Sequence, residues 1–492
     1  HEQGVGFMAD GYARVMGRPG VCFTITGPGL TNIATAMGQA YSDSIPMLVI
    51  SSVNRRHELG LGGGRLHELP SQREMMAGVS VFSHTLMSPD ELPEVLSRAF
   101  AVFTNERPGP VHIEIPIDVM SAPADHLSRQ IPALPARPAP QAEAIGRAID
   151  MIHDASRPVL LLGGGCVGAQ APARLLAERL DAPTLLTINA KGLLPPGHEL
   201  SLGSNQSLEP VRELVRDADL VIAIGTELSE TDYDVVFDSG FEIPGSLIRI
   251  DIEFEQLNRN YAADLGILSD AELAMTALLE CLGQQPAERQ GAARVAKVRQ
   301  RLEREWSGPY QFMDQFLKTV QQALPGVIIV GDSTQPVYAG NHLYEALEPG
   351  TWFNSSTGYG TLGYGLPAAI GAKLARPERP VVALVGDGGM QFTLSELASA
   401  IEAEAPVIVL LWNNSGYGEI KRFMLERGIT PVGVDLYTPD FLAIARGFGC
   451  DAVTIESFEE LSIQLQAAAG ASRPTLIEVR EGADFVAAFR DP

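Results

Sequence analysis

VVALVGDGGMQFTLSELASAIEAEAPVIVLLWNNSGYG, residues 381–418, is the stretch from which the architecture can be read. An apolar run of strand length, Val381–Val385, leads straight into Gly386-Asp387-Gly388-Gly389. Leu394, Leu397, Ala398 and Ile401 then recur at helical spacing. Thr393 and Glu396 have the spacing of a capping box, which would start that helix. Pro406 marks the exit, and Val407–Trp412 reads as the next buried strand, ending at Asn413-Asn414. Strand, helix and strand in this order make a parallel βαβ unit. Asp387 and the Asn pair therefore fall at carboxyl ends of strands, where open α/β sheets bind ligands.

The chemistry follows from that placement. Asp387 offers a hard carboxylate oxygen, Asn414 an amide carbonyl and the chain near Gly416 a backbone carbonyl. With water and phosphate oxygens these would complete a Mg²⁺ site. Gly386, Gly388 and Gly389 would let phosphate oxygens approach backbone N–H groups near a helix N-terminus. A Gly-Asp-Gly triplet alone is far more often a tight turn. A helix follows here, not a returning hairpin strand, which weighs against the turn.

Gly-Asp-Gly, followed 27 residues after its Asp by the second Asn of a pair, resembles the diphosphate-and-metal motif of thiamine diphosphate (ThDP) enzymes. The resemblance covers essentially the whole chain and is nearest to the acetolactate synthase, benzoylformate decarboxylase and pyruvate decarboxylase group. It implies an α/β fold of three doubly wound parallel-sheet domains. They are a pyrimidine-binding domain over 1–125, a central domain over 141–285 and a diphosphate-binding domain over 309–492. No Met precedes His1-Glu2-Gln3, and the resemblance implies that roughly the first strand and helix of domain one are missing. It further implies a homodimer or dimer of dimers, with each cofactor held between domain one of one subunit and domain three of another.

Composition agrees with a multidomain enzyme. At 492 residues, two to four domains are expected. A net charge of −24 repels phosphate backbones and anionic lipid, which argues against nucleic-acid and membrane-surface partners. No apolar run approaches the ~18–20 residues of a membrane span. Cys22, Cys166, Cys281 and Cys450 are scattered without a CxxC pair, so neither a zinc cluster nor a disulfide scaffold is suggested, and a cytoplasmic setting is expected.

HEQGVGFMADGYARVMG reads as a helix with Val5, Met8, Ala9, Tyr12 and Val15 on its apolar face. VCFTIT reads as a buried strand, and Gly27-Pro28-Gly29 as a sharp turn into a second helix. HEQGVGFMADGYAR resembles the pyrimidine-binding motif of the family. Glu2 then matches the glutamate that hydrogen-bonds N1′ of the aminopyrimidine and drives the ring to its imino form. A carboxylate shielded from water can carry a raised pKa suited to that exchange. Pro28 and Asn32 match cofactor-contacting positions. The glycine-rich loop 59–75 stands where acetolactate synthases carry a Phe-Gln pair; here Leu66-His67-Glu68 takes that place. His67 could be a proton donor near the substrate, or a surface histidine without function.

The Pro-rich segment within 121–140 reads as a stiff linker. In the central domain, GGGCVG lacks GxGxxG spacing and is a weak dinucleotide signal. Where acetolactate synthases carry an Arg-Phe-Asp-Asp-Arg run, this chain has Thr226 to Asp234 with Glu227, Glu230, Asp232 and Asp234. FAD is therefore disfavoured. The four carboxylates would suit a guanidinium tail if the loop faces the active site, and are otherwise a solvated acidic loop. Residues 286–308 read as a charged amphipathic connector.

In the third domain the resemblance places Ser333, Thr334 and Gln335 by the diphosphate. It places Gly360 and Leu362 in the segment that props the cofactor, with Leu362 wedged between the two rings. Tyr417 would contact the cofactor, and Glu419 and Ile420 would line the substrate pocket, although Glu419 also reads as an ordinary helix-start carboxylate. The activity implied is ThDP- and Mg²⁺-dependent decarboxylation of a 2-oxo acid, in its sharpest form 5-guanidino-2-oxopentanoate. Acetolactate synthase, an FAD-dependent pyruvate oxidase type and a non-catalytic ThDP-binding paralogue are the alternatives.

Overall fold

A computed structural model of the chain describes all residues except 129–132, 235–237, 285–286, 307 and 490–492. It has three parallel sheets. The first contains β1 (Gly20–Thr24), β2 (Met47–Val53), β3 (Phe82–Thr85) and β4 (Pro110–Pro116), in the order β1-β2-β4-β3. The second contains β5 (Pro158–Leu162), β6 (Thr184–Leu186), β7 (Leu220–Ile224), β8 (Ser246–Asp251) and β9 (Leu265–Leu268), in the order β6-β5-β7-β8-β9. The third contains β10 (Ile328–Gly331), β11 (Trp352–Asn354), β12 (Val381–Gly386), β13 (Ile408–Asn413), β14 (Asp451–Thr454) and β15 (Thr475–Arg480), in the order β11-β10-β12-β13-β15-β14. The unbroken apolar runs of β12 and β13 follow from their place between other parallel strands, where both faces are covered.

Two helices fix how the first and third sheets meet. Helix Glu2–Met16 crosses helix Gly365–Ala375 almost backbone to backbone. A Cβ on Gly11 would lie 2.1 Å from the Ala368 carbonyl oxygen, and one on Gly371 would lie 1.9 Å from that of Met8. The buried face of the first helix is therefore Gly4, Phe7, Gly11 and their neighbours, while Val5 is exposed. Of the face expected from Val5, Met8, Ala9, Tyr12 and Val15, Ala9 is buried and Met8 and Val15 pack against the core, but Val5 is exposed and the closest approach is made by glycines, which carry no apolar signal.

Three further expectations are corrected. VCFTIT is not a buried strand: β1 is a sheet edge, and Val21 and Phe23 point outward, Phe23 being 74% exposed. Thr393 and Glu396 form no capping box. The helix runs Glu396–Glu402 with Ser395 at its N-cap, the Thr393 hydroxyl donates to the Gly363 carbonyl, and the Glu396 carboxylate packs on Gly4. The stretch read as a connector contains helix Gly291–Glu305, whose Val295, Val298 and Leu302 join the central domain's core. The Pro-rich linker falls partly outside the described residues; residues 133–140 are neither helix nor strand.

The helix crossing yields a stability test. Gly371→Ala should lower stability by about 1–3 kcal/mol through overpacking, read as a fall in denaturant midpoint. An unchanged midpoint would mean that the two helices can separate freely.

Candidate active site

In the third sheet the chain runs from β10 outward to β11 and then returns to β12 on the other side. The carboxyl ends of β10 and β12 thus flank a topological switch point, the crevice where such sheets hold ligands. Gly386-Asp387-Gly388-Gly389 and Ser333-Thr334-Gln335 lie at these two ends. The GDGG glycines are needed for packing: a Cβ on Gly386 would meet Thr334 Oγ1 at 2.9 Å, one on Gly388 the Tyr417 ring at 2.8 Å, and one on Gly389 the Asp332 carboxylate at 3.0 Å. Gln335 is partly committed, its Oε1 accepting from Trp412 Nε1 at 3.1 Å. The Ser333 hydroxyl pairs with that of Ser355 at 3.2 Å.

Asp387 is buried, and burial raises its carboxyl above the ordinary aspartate value, opposed by backbone N–H donors led by that of Asn414. Its Oδ2 has no hydrogen-bond partner. The Asn414 side-chain oxygen faces Asp387 Oδ1 at 3.0 Å and the Gly416 carbonyl at 2.8 Å. Turned over, the amide would donate to both. With the amide nitrogen inward both contacts are satisfied hydrogen bonds; with the oxygen inward, Asp387 Oδ1 keeps only the Asn414 backbone N–H at 3.4 Å and the three oxygens suit a cation among them. Adjacent oxygens of an octahedral Mg²⁺ shell stand ~3.0 Å apart, the spacing found here. Gly416 must be glycine, since a Cβ would meet the Val434 carbonyl oxygen at 2.4 Å.

The other candidate residues gather in the first domain. Pro28 occupies the first turn of helix Pro28–Ser42, after Gly27 at φ +69°. Asn32 Nδ2 donates to Glu2 Oε2 at 2.9 Å. That hydrogen bond, then backbone donation at the helix start, lowers the Glu2 pKa. The raised value expected for a shielded carboxylate is not found in the single chain, where Glu2 is only part-buried. His67, at φ +61°, lies on the 27–28 turn, where its carbonyl oxygen occupies the place of a Gly27 Cβ. Among the described residues no hydrogen bond or ion pair joins Glu2, Pro28 or Asn32 to Gly386–Gly389 or Asn414–Tyr417.

Leu362 is half-buried on a segment whose Gly358, Gly360 and Gly363 all have positive φ. This segment is pinned by residues that the sequence reading missed. Asp332 accepts from Ser333 N at 2.8 Å and Gly365 N at 3.1 Å, and burial pushes its carboxyl up to about 6 against those donors. Its signal was available, since VGDS at the end of β10 echoes VGDG at the end of β12. Gln39 Oε1 accepts from the Thr361 hydroxyl at 2.9 Å, and Asp43 from that of Thr357 at 3.0 Å. Gln72 is also new: its Oε1 accepts from Gly27 N at 3.1 Å and its Nε2 donates to the Ser52 carbonyl at 2.9 Å, which sets the turn before Pro28.

Glu419 and Ile420 begin helix Gly418–Glu426; Ile420 is exposed and Glu419 is ion-paired with Arg422. The acidic loop does not face this site. Glu227, Glu230 and Asp232 line a cavity between the three domains, in which none of the candidate cofactor or metal residues takes part. Asp234 is buried against Arg212 at 3.1 Å.

Three family models match the chain: the N-terminal TPP binding domain of thiamine pyrophosphate enzymes over residues 1–75, their central domain over 145–278 and their C-terminal TPP binding domain over 332–479. The chain is 46% identical over 485 residues to a protein of Pseudomonas aeruginosa named probable 2-ketoarginine decarboxylase AruI, covering 98% of this chain and 86% of that one. It is 32% identical to the acetolactate synthase isozyme 1 large subunit of Escherichia coli, covering 98% and 86%. A probable acetolactate synthase large subunit of Methanocaldococcus jannaschii is 31% identical, covering 97% and 84%. Asp387→Asn should abolish Mg²⁺-dependent thermal protection by ThDP while leaving far-UV circular dichroism unchanged. Full protection in the variant would remove Asp387 from the metal site.

Proposed function

The chain belongs to the thiamine pyrophosphate enzymes, and from there we propose that it decarboxylates a basic 2-oxo acid, 5-guanidino-2-oxopentanoate, without oxidation. One observation carries the substrate: 46% identity along nearly the full chain to a protein named as a 2-ketoarginine decarboxylase. When bound, ThDP supplies an electron-accepting thiazolium that lets a 2-oxo acid lose CO₂. Asp387, Asn414 and the Gly416 carbonyl would hold Mg²⁺, a fit supported by the unpartnered buried Asp387 Oδ2 and by the approach of the Asn414 amide to both Asp387 and the Gly416 carbonyl. Gly386, Gly388 and Gly389, with Ser333, Thr334 and Gln335, would receive the diphosphate, and Tyr417 closes over them.

Leu362 and Gly360 would shape the ring site, and Glu2 would share a proton with N1′ of the aminopyrimidine, held in place by Asn32. His67 would serve as proton donor from its loop over the 27–28 turn. Arg422 has a second carboxylate in Glu426 at 2.8 Å, so Glu419 can release it and turn to a substrate guanidinium, with Ile420 as apolar wall. FAD forms no part of this reading. Cytoplasmic placement is supported by four free cysteines, and no helix among the described residues is long and apolar enough to cross a membrane.

A homodimer, or a dimer of dimers, completes the site in this reading. Its support is that Glu2 and Asp387 lie in two groups not bonded to each other within one chain, and that large apolar side chains are exposed near both. Ile25 shares the surroundings of Gly29 with Glu2; Val432 and Tyr437, the latter 86% exposed, flank the segment that meets Gly416. Such surface is what subunit contacts cover.

Two experiments test the reading. With ThDP and Mg²⁺, 5-guanidino-2-oxopentanoate should yield CO₂ and its guanidino aldehyde; acetolactate from pyruvate, with no preference for the basic acid, would replace the reading with acetolactate synthase. Glu2→Gln and Asp387→Asn should each lower kcat by at least about 10²-fold. Mixed and reassociated, the two inactive chains should recover about a quarter of wild-type activity, because half of the two-fold dimers are mixed and one site in each is intact. No recovery after demonstrated subunit exchange would place both residues in one chain's site.

A further inference from the structure

The central sheet has a switch point of its own. In the order β6-β5-β7-β8-β9, the loops after β5 and β7 part in opposite directions. They cross so closely that a Cβ on Gly163 would lie 2.0 Å from the Gly225 carbonyl oxygen. In front of them is a cavity of about 610 Å³, walled by all three domains. Its size suits a small organic ligand. Seven of its lining residues are carboxylates and two, Arg14 and Arg107, are cations.

Both cations are already engaged. Arg14 is held by Asp10 and Asp43, and Arg107 by Glu227 and Glu253. Neither is free to receive the pyrophosphate of a flavin nucleotide. Among the described residues, Glu230, Asp232 and Asp251 have no ion-pair partner. Burial, with neighbouring carboxylates adding to it, pushes Asp232 up to about 7, and burial pushes Asp251 up to about 6. A second observation is independent of charge. Gln256, 1% exposed, lines the same cavity; its Nε2 donates to Glu253 at 2.9 Å, but its Oε1 has no partner. A buried acceptor that shares a cavity with unpaired carboxylates calls for a donor that is also a cation.

We infer that this interdomain cavity is a binding site for a small organic cation bearing a guanidinium or ammonium group, with Glu230, Asp232 and the Gln256 amide oxygen as its acceptors, in place of a flavin. The site adjoins the catalytic elements. Arg14 and Asp43 end the two helices that begin at Glu2 and Pro28, and Thr357 and Gly358 of its wall precede Leu362. Ligand bound here would therefore rest on the same helices and loop that carry the reaction groups.

Agmatine is a suitable probe, since it has a guanidinium and an amine but no 2-oxo acid. Calorimetry on the full chain saturated with ThDP and Mg²⁺ should show saturable agmatine binding, and FAD should not be retained through gel filtration. Glu230→Gln and Asp232→Asn keep side-chain shape, and Asp232→Asn keeps the acceptor for Ile188 N, which Asp232 Oδ1 receives at 2.9 Å. Each should weaken agmatine at least tenfold while kcat/KM for the 2-oxo acid changes less than twofold. Agmatine affinity equal to wild type in both variants, absence of binding, or stoichiometric retention of FAD would each overturn the inference. Because the readout is binding in variants outside the active site, failure of the substrate assignment would leave this result standing.

Discussion

Arg14 is the residue on which the arrangement of domains depends. It is nearly buried, and its three nitrogens reach Asp10 at 2.7 Å, Asp43 at 2.5 Å and Asn189 of the central domain at 3.0 Å. Burial works against its charge, but Asp10, the Tyr364 hydroxyl and Asp43 outweigh that and hold it protonated. Asp10 receives the Tyr364 hydroxyl at 2.5 Å, and Asp43 that of Thr357 at 3.0 Å. One guanidinium thus connects the first sheet's helices, the central domain and the loop that leads to Leu362. Breaking such a buried pair costs about 3–5 kcal/mol, because an unpaired charge is left behind.

From this joint the chemistry divides. The third sheet contributes a cradle of oxygens and glycines at its switch point, rigid because β12 and β13 are buried and the glycine positions allow no Cβ. The first sheet contributes Glu2 with its donor Asn32, on a surface that is open in one chain. A carboxylate whose pKa is lowered by a hydrogen bond is not yet a proton shuttle. Withdrawal from water by a covering surface would move it the other way.

The same topological device occurs twice. At the β10–β12 switch point the loops carry Ser333, Thr334 and the Gly386–Gly389 run with the unpartnered Asp387 Oδ2, where the proposed reading puts an anion with its cation. At the β5–β7 switch point the loop after β7 presents carboxylates, and Gln256 after β8 adds an unpartnered amide oxygen to the same cavity. Two crevices of one architecture thus differ in electrostatic character through the side chains that border them.

Most strands, the three α/β domains and the position of Asp387 and Asn414 at neighbouring strand ends were legible in the chain, because buried parallel strands are written as unbroken apolar runs. What rested on distant contacts was not. The close crossing of helix Glu2–Met16 was not legible, because glycines mark a backbone approach without an apolar signal, although Met8, Ala9 and Val15 do pack on the core. Whether the acidic loop faces the substrate was left open by the chain; it lines another cavity, since only the packing of three domains decides which crevice a loop borders. Asp332, Gln39, Gln72 and Arg14 act through partners far away in the chain, and Asn414 converges with Gly416 and Asp387 only once β12 and β13 lie side by side. Sequence alone determined what each strand end could bind; tertiary structure decided which ends meet, because distance through space, not along the chain, sets the strength of every polar contact in these sites.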